Sequence, residues 1–81
     1  MKQRTITVIT SIDARTAAMF VQTAGKFQST IKIQLDTKEA NAKSIMGMIS
    51  LGILEGSSIV ITAEGADEED ALEKACNFFT E

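Results

Sequence analysis

Two short segments of this 81-residue chain carry the residue types that handle phosphate. In the first, Asp13 precedes Arg15 by two residues, so a carboxylate able to attack phosphorus lies near a guanidinium able to bind phosphoryl oxygens. In the second, Ser44 follows Lys43 and offers a hydroxyl that can accept a phosphoryl group. Histidine is absent from the sequence, which excludes a phosphohistidine at either position.

Asp13 has two interpretations. As a nucleophile it would carry the phosphoryl group as an acyl phosphate, although its negative charge repels an incoming phosphoryl dianion. As a helix N-cap it would accept a hydrogen bond from the N–H group of Arg15 or Thr16 and stabilise the helix. In that case Arg15 simply pairs with the Asp13 carboxylate. We predict that Asp13 is a cap rather than a catalyst.

Ser44 fits two roles that are compatible with each other. Serine is a good N-cap for the short helix expected to start here, and the first turn of a helix favours an anion, so a phosphate on this hydroxyl would be tolerated. Five large apolar side chains follow, which is more than one buried face can hold. They are Ile45, Met46, Met48, Ile49 and Leu51.

Spacing assigns these five side chains to two sides of the helix. The inward pair is Met48 and Leu51. The three side chains expected to face water next to the serine are Ile45, Met46 and Ile49. Exposed Ile and Met beside a basic side chain, from Lys43 or Arg15, are typical of a protein-docking surface, and methionine suits adaptable contacts. Met19, outside the inward stripe of the preceding helix, is expected to extend this surface.

Hydrophobic periodicity and turn residues predict the element order β-α-β-β-α-β-α. The predicted elements are a strand through Ile6 and Val8, a helix over Ala14–Lys26, strands over Ile31–Leu35 and Glu39–Ala42, a short helix from Ser44, a strand over Ser58–Glu64 and a final helix. Gly52 and Gly56 bracket the exit of the short helix, and Asp67 is the expected N-cap of the final one, ahead of an acidic first turn. Helices on one face of a four-stranded, mainly antiparallel sheet make an α+β two-layer fold.

The apolar stripes of the two longer helices define their buried faces. They are Ala17, Phe20, Val21, Ala24 and Phe27 in the first helix, and Ala71, Leu72, Ala75, Cys76 and Phe79 in the last. Cys76 is the sole cysteine and lies within such a stripe, so we expect a small core residue rather than a reactive thiol.

Composition limits the kind of protein this is. The length fits one domain over residues 1–81, and the 44% apolar and 23% charged residues are near globular averages. Residues 1–43 hold seven Lys/Arg and three Asp/Glu, whereas residues 44–81 hold one and eight, giving a net charge of −3. Without Trp, Tyr or a basic stripe, direct nucleic-acid binding is not expected. No membrane segment, metal site or cofactor is expected either, and we expect a cytoplasmic protein.

Both phosphate-handling segments resemble the HPr family, the histidine-containing phosphocarriers of the bacterial sugar phosphotransferase system. The similar residues are Ile12-Asp13-Ala14-Arg15-Thr16-Ala17, and Asn41-Ala42-Lys43-Ser44-Ile45-Met46-Gly47 continued by Met48-Ile49-Ser50-Leu51-Gly52. The resemblance implies an HPr-like open-faced sandwich. It places Asp13 where the family has its phosphorylated histidine within Gly-Ile-His-Ala-Arg-Pro-Ala, Thr16 at the proline, and Ser44 at a regulatory serine.

One departure from the family concerns the first strand. If Ile6 and Val8 face inward, the connection to Asp13 is shorter than usual by about two residues. The alternative is a strand shifted by two, which turns Arg4 toward the core. We predict the shorter connection.

The resemblance implies a non-enzymatic regulator similar to the histidine-lacking catabolite-repression (Crh-like) branch, which has glutamine at the Asp13 position. Ser44 would accept phosphate from an HPr kinase/phosphorylase. A catabolite control protein A-like transcription regulator would then bind a surface made of Arg15, Met19, Ile45, Met46 and Ile49. One alternative is a phosphocarrier in which enzyme I phosphorylates Asp13. Another is a decoy that occupies enzyme I or sugar-transporter subunits and transfers nothing.

Overall fold

The computed structural model describes residues 1–80 and confirms the predicted element order. The elements are β1 (Lys2–Thr7), α1 (Ala14–Gly25), β2 (Thr30–Leu35), β3 (Lys38–Asn41), α2 (Ile45–Leu51), β4 (Ser58–Glu64) and α3 (Glu68–Thr80). The strands form one sheet in the order β1-β4-β2-β3, with each neighbouring pair antiparallel. The helices cover one face, so the molecule is the predicted α+β open-faced sandwich.

The core lies between that face and the helices because the central strands alternate as predicted. Ile59, Ile61 and Ala63 of β4 are fully buried, and Ile33 of β2 pairs with Ile61. Helix α1 contributes Phe20, which is also fully buried and whose ring centroid lies 4.8 Å from that of Phe79 in α3. The predicted inward stripe of α3 is confirmed, since Ala71, Leu72, Ala75, Cys76 and Phe79 are all buried. In α1, Ala17, Phe20 and Ala24 are buried and Val21 is half-buried. Phe27, predicted to belong to the same stripe, is half-buried and lies two residues beyond the end of α1.

Several boundaries differ from the prediction. Strand β1 ends at Thr7, one residue before Val8, and β2 begins at Thr30. Helix α1 ends at Gly25 with Lys26 as its C-cap. Strand β3 begins at Lys38 and ends at Asn41, because Leu35 already pairs with Lys38 and only two residues turn the chain. Asp36 supplies this tight turn with a φ of +56°, a left-handed conformation that Asp tolerates better than most residues.

At the edge of the sheet, β1 places its apolar residues inward. Ile6 pairs with Ile59, and Val8, just beyond the strand, is 1% exposed. Arg4 pairs with Ile61 and therefore lies on the same side of the strand, yet its side chain stays exposed. Ile6 and Val8 thus hold the inward positions that the shorter connection to Asp13 requires, and Arg4 is not a core residue.

Cys76 is a core residue, as predicted. Its side chain is 3% exposed in α3, and burial raises the pKa of its thiol, outweighing the opposite effect of Arg4. A raised pKa keeps the sulfur protonated and unreactive near neutral pH. Across residues 1–80, no helix combines the length and apolar character needed to span a membrane.

Asp67 directly precedes α3, as predicted for its N-cap, and its carbonyl accepts from the Ala71 N–H at 2.9 Å, but its side chain bonds to another part of the chain. Its Oδ2 accepts a hydrogen bond from the Gln28 N–H at 2.9 Å, and its Oδ1 accepts from the Ser29 N–H at 2.9 Å and from the Ser29 hydroxyl. Glu68 instead accepts from the Gly65 N–H at 3.2 Å. Because Ser29 is fully buried, Asp67 satisfies polar groups that would otherwise have no partner. The carboxylate therefore ties the start of α3 to the turn after α1.

This role of Asp67 predicts a pH-dependent stability. Hydrogen bonds from Ser29 and Gln28 lower the pKa of Asp67 below its usual value. The unfolded chain then binds the proton more readily, so the stabilisation is present above the unfolded pKa and is lost as pH falls through the lower folded pKa. As the pH is lowered from about 5 to about 2, we expect the melting temperature of the wild type to fall more than that of Asp67→Asn. Ser29→Ala, which removes only the hydroxyl donor, should fall in between, and parallel melting profiles of all three proteins would contradict this role.

Candidate phosphorylation and docking site

The candidate site is built on α1 and α2, which run antiparallel beside each other. At one end the Ile12 N–H, just before α1, donates to the carbonyl of Ile53, just after α2, at 3.0 Å. At the other end the Lys43 Nζ, just before α2, donates to the carbonyl of Phe27, just after α1, at 2.8 Å. Asp13 and Ser44 therefore lie at opposite ends of the helix pair, about 10 Å apart along the axis by the rise of a seven-residue helix.

At the first end, Asp13 is the N-cap of α1, as predicted. Its backbone is extended, with φ −100° and ψ −177°, and its Oδ1 accepts from the Thr16 N–H at 2.8 Å. Hydrogen bonds from Thr16, aided by the backbone of Arg15, lower the pKa of Asp13 and outweigh its partial desolvation. The side chain is an exposed carboxylate at neutral pH, with one oxygen directed to the helix terminus.

Arg15 is not paired with Asp13, contrary to our interpretation of the cap. The Asp13 carboxylate turns back onto the first turn of α1, and none of the ion pairs within residues 1–80 includes Arg15. The guanidinium is exposed and can donate hydrogen bonds to groups outside the chain.

At the second end, Ser44 is the N-cap of α2, again as predicted. Its backbone has φ −112° and ψ 114°, and its Oγ accepts from the Gly47 N–H at 3.1 Å. The preceding turn is fixed by Asn41, whose carbonyl accepts from the Ser44 N–H at 3.0 Å and whose Oδ1 accepts from the Lys43 N–H at 2.8 Å. Gly52 ends the helix in the left-handed conformation, with φ +64°.

Gly47 keeps the space beside the Ser44 hydroxyl open. A Cβ at this position would lie 3.3 Å from the Ser44 Oγ and 3.3 Å from the Ala40 Cβ of β3. The absent side chain leaves a groove between β3 and α2, onto which Ser44 and Leu51 also border. Sequence reasoning predicted both β3 and α2 but missed this groove, because it did not show that Ala40 of β3 faces Gly47.

The apolar side chains of α2 divide as predicted. Met48 is fully buried and Leu51 is 4% exposed. The exposed fractions of the outward side chains are 44% for Ile45, 74% for Met46 and 40% for Ile49, with 55% for Met19 on α1. We call these four residues the apolar patch. Of the two basic side chains considered beside Ser44, Lys43 lies at the Ser44 end and Arg15 at the Asp13 end.

Apart from Met1, two exposed large apolar side chains outside this patch were not predicted. Ile9 is 52% exposed and Leu54 is 63% exposed, in the loops that follow β1 and α2. These loops are joined by the Gly56 N–H, which donates to the Val8 carbonyl at 2.8 Å, and by the Glu55 N–H, which donates to the Ser11 Oγ at 2.9 Å. Loops lack a hydrophobic period, so the sequence carried no signal for their exposure.

Known proteins match nearly the whole chain. The family model described as the PTS HPr component phosphorylation site covers residues 1–81. The HPr-like protein Crh of Halalkalibacterium halodurans is 48% identical over 77 residues, which are 95% of this chain and 92% of that protein.

Two solved structures are also similar. The phosphocarrier protein HPr of Bacillus anthracis superposes with a TM-score of 0.92 at 46% identity, over 96% of this chain and 95% of that one. Crh of Bacillus subtilis, whose crystal structure revealed a domain-swapped dimer, has a TM-score of 0.81 and 41% identity over 99% and 94%. The family model and the relatives cover the same residues that form the two helix ends described above. The chain therefore belongs to the PTS HPr family.

Proposed function

We propose that this chain is a non-enzymatic, cytoplasmic HPr-like regulator of carbon catabolite repression, switched by phosphorylation of Ser44. The observation that carries the proposal is the position of Ser44 at the start of a helix whose outward face is apolar and exposed. The lack of histidine in the sequence removes the family's phosphocarrier chemistry and leaves this hydroxyl as the best acceptor.

The proposed modifying enzyme is an HPr kinase/phosphorylase using ATP. The Ser44 Oγ would attack the γ-phosphorus, the bond to the leaving ADP would break, and the hydroxyl proton would pass to a base on the kinase. The hydroxyl is half-buried but borders the open groove beside Gly47. A phosphate can therefore be added there without displacing a core side chain.

The proposed partner is a catabolite control protein A-like transcription regulator. The apolar patch supplies area that gains free energy when water is excluded, and its two methionines can adapt to the partner's shape. Arg15, exposed and without an ion-pair partner in residues 1–80, would add a directional hydrogen bond to a carboxylate of the regulator. The phosphate on Ser44 would complete this surface at its opposite end.

The alternative carrier function depends on Asp13. Its exposure and that of the nearby Arg15 favour it, because a donor enzyme can approach this end of α1. The hydrogen bond from Thr16 and the lowered pKa count against it, since both stabilise the carboxylate as an anion and weaken it as a nucleophile. We therefore place phosphate on Ser44.

The test begins with the kinase. Incubation with an HPr kinase/phosphorylase and ATP, followed by peptide mass spectrometry, is expected to give one phosphate on Ser44. Ser44→Ala should take up none, whereas Ser50→Ala, which removes an exposed serine from the same helix, should be labelled like the wild type. Absence of label on Ser44 would reject the proposal.

The next step separates the alternatives. Phosphorylated protein is expected to bind the regulator at least tenfold more tightly than unmodified protein, a difference of about 1.4 kcal/mol in binding free energy. Equal affinities would reject the switch. A hydroxylamine-sensitive label from enzyme I that disappears in Asp13→Ala would establish the carrier instead. Competition by unlabelled protein against a true phosphocarrier would indicate a decoy.

A further inference from the structure

Lys43 is the basic residue next to Ser44 in the sequence, and its side chain is anchored at the same end of the helix pair. It immediately precedes Ser44, and its ammonium is held at the Phe27 carbonyl at 2.8 Å. The Asn41 side chain fixes the Lys43 backbone as well. A lysine ammonium has three donors, and the Phe27 carbonyl uses one of them. Two donors therefore remain for another acceptor.

Other charged side chains also lie in this part of the molecule. Helix α2 has no charged side chain, and Arg15 lies at the far end of the helix pair. Lys38 and Glu39 of β3 border the same groove as Ser44. The Glu39 Oε1 also lies 3.8 Å from the Lys32 Nζ, so this carboxylate already has a cationic partner. Lys26 caps the end of α1 but is separated from Ser44 in sequence. None of the ion pairs within residues 1–80 includes Lys43.

We infer that Lys43 is the intramolecular binding residue for phosphate on Ser44, bridging the phosphoryl oxygens to the Phe27 carbonyl at the end of α1. This inference rests on the proposed function for the presence of the phosphate. The bridge joins the start of α2 to the turn after α1 through one ammonium. Phosphorylation would then tighten the contact between the two helices that carry the apolar patch. The modified state would differ from the unmodified one in rigidity as well as charge.

The test uses protein with phosphoserine placed at position 44 by semisynthesis, so that it does not depend on any kinase. Titration of the phosphate by ³¹P NMR reports its second ionisation directly. A nearby ammonium favours the dianion, so Lys43→Met is expected to raise the phosphate pKa by about half a unit, the size expected for an exposed ion pair. Lys43→Arg should restore the wild-type titration.

Two controls separate this role from a general effect of charge or structure. Lys74→Met removes an exposed lysine from α3 and should leave the phosphate titration within about 0.1 unit of the wild type, because screening weakens distant charges. The Lys43→Met shift should shrink as salt is raised. Identical titrations of wild type and Lys43→Met, or an equal shift in Lys74→Met, would overturn the inference. Failure of the kinase to label Ser44 would reject the proposed function alone.

Discussion

Simultaneous replacement of the three outward side chains of α2 by alanine is expected to weaken binding of Ser44-phosphorylated protein to the regulator by about 100-fold, or about 2.7 kcal/mol. The change is Ile45→Ala, Met46→Ala and Ile49→Ala. These side chains are between 40% and 74% exposed in the free protein, so the partner alone can cover them. Alanine keeps the helix, because it has the highest helix propensity, and Met48 and Leu51 remain to hold α2 on the core. Binding is measured by isothermal calorimetry with fully phosphorylated protein.

The matched control removes exposed apolar area elsewhere. Ile9→Ala with Leu54→Ala affects side chains that are 52% and 63% exposed in the two joined loops. We expect a loss of affinity below about threefold, since residues outside a binding hot spot contribute little when truncated. Equal losses in the two proteins would show that the patch has no special role. Unchanged binding in the α2 variant would remove it from the interface.

The sequence was most informative where side-chain period and capping residue agree. In α2, Ser44 is the N-cap and Gly52 is the C-cap, so the position of the helix was predictable. The spacing of Met48 and Leu51 defines the inward face, so the exposure of the other large side chains was predictable as well. The same holds for β4, whose strict alternation fixed both of its bounds. Local patterns suffice for such elements because the side-chain period and the flanking turn or cap residues can all be read within a few residues of sequence.

Predictions failed where a side chain had two competing partners. Asp67 has the residue type and position of an N-cap, but its carboxylate reaches Gln28 and Ser29, which are 39 and 38 residues away in sequence. Asp13 and Arg15 are close in sequence, yet the carboxylate bonds to the backbone of Thr16 instead of the guanidinium. The position of a carboxylate in the sequence shows which nearby donors it can accept from, and only the packed structure shows which donor is nearer.

Gly65 illustrates the same limit, because its role is invisible without its neighbour. The sequence marks it as the end of β4, but its φ is +152°, and a Cβ there would lie 2.7 Å from both the Cα and the Oγ of Ser29. Ser29 cannot yield easily, since it is fully buried and hydrogen-bonded to Asp67 through both its N–H and its hydroxyl. The glycine is therefore required by close packing and by backbone conformation together.

Gly65→Ala is accordingly expected to lower the free energy of unfolding by about 3 kcal/mol, the sum of overpacking and an unfavourable positive φ. The melting temperature should fall by about 15 °C for a chain of this size. Gly52→Ala is the matched control: its φ of +64° is also positive, but, its chain neighbours aside, no atom of residues 1–80 lies within 4 Å of the added Cβ. That variant should lose only about 1 kcal/mol, the cost of the left-handed backbone for a residue with a Cβ. Urea denaturation of both proteins measures the difference, and equal losses would mean that the contact between Gly65 and Ser29 does not limit the packing of α3 against the turn after α1.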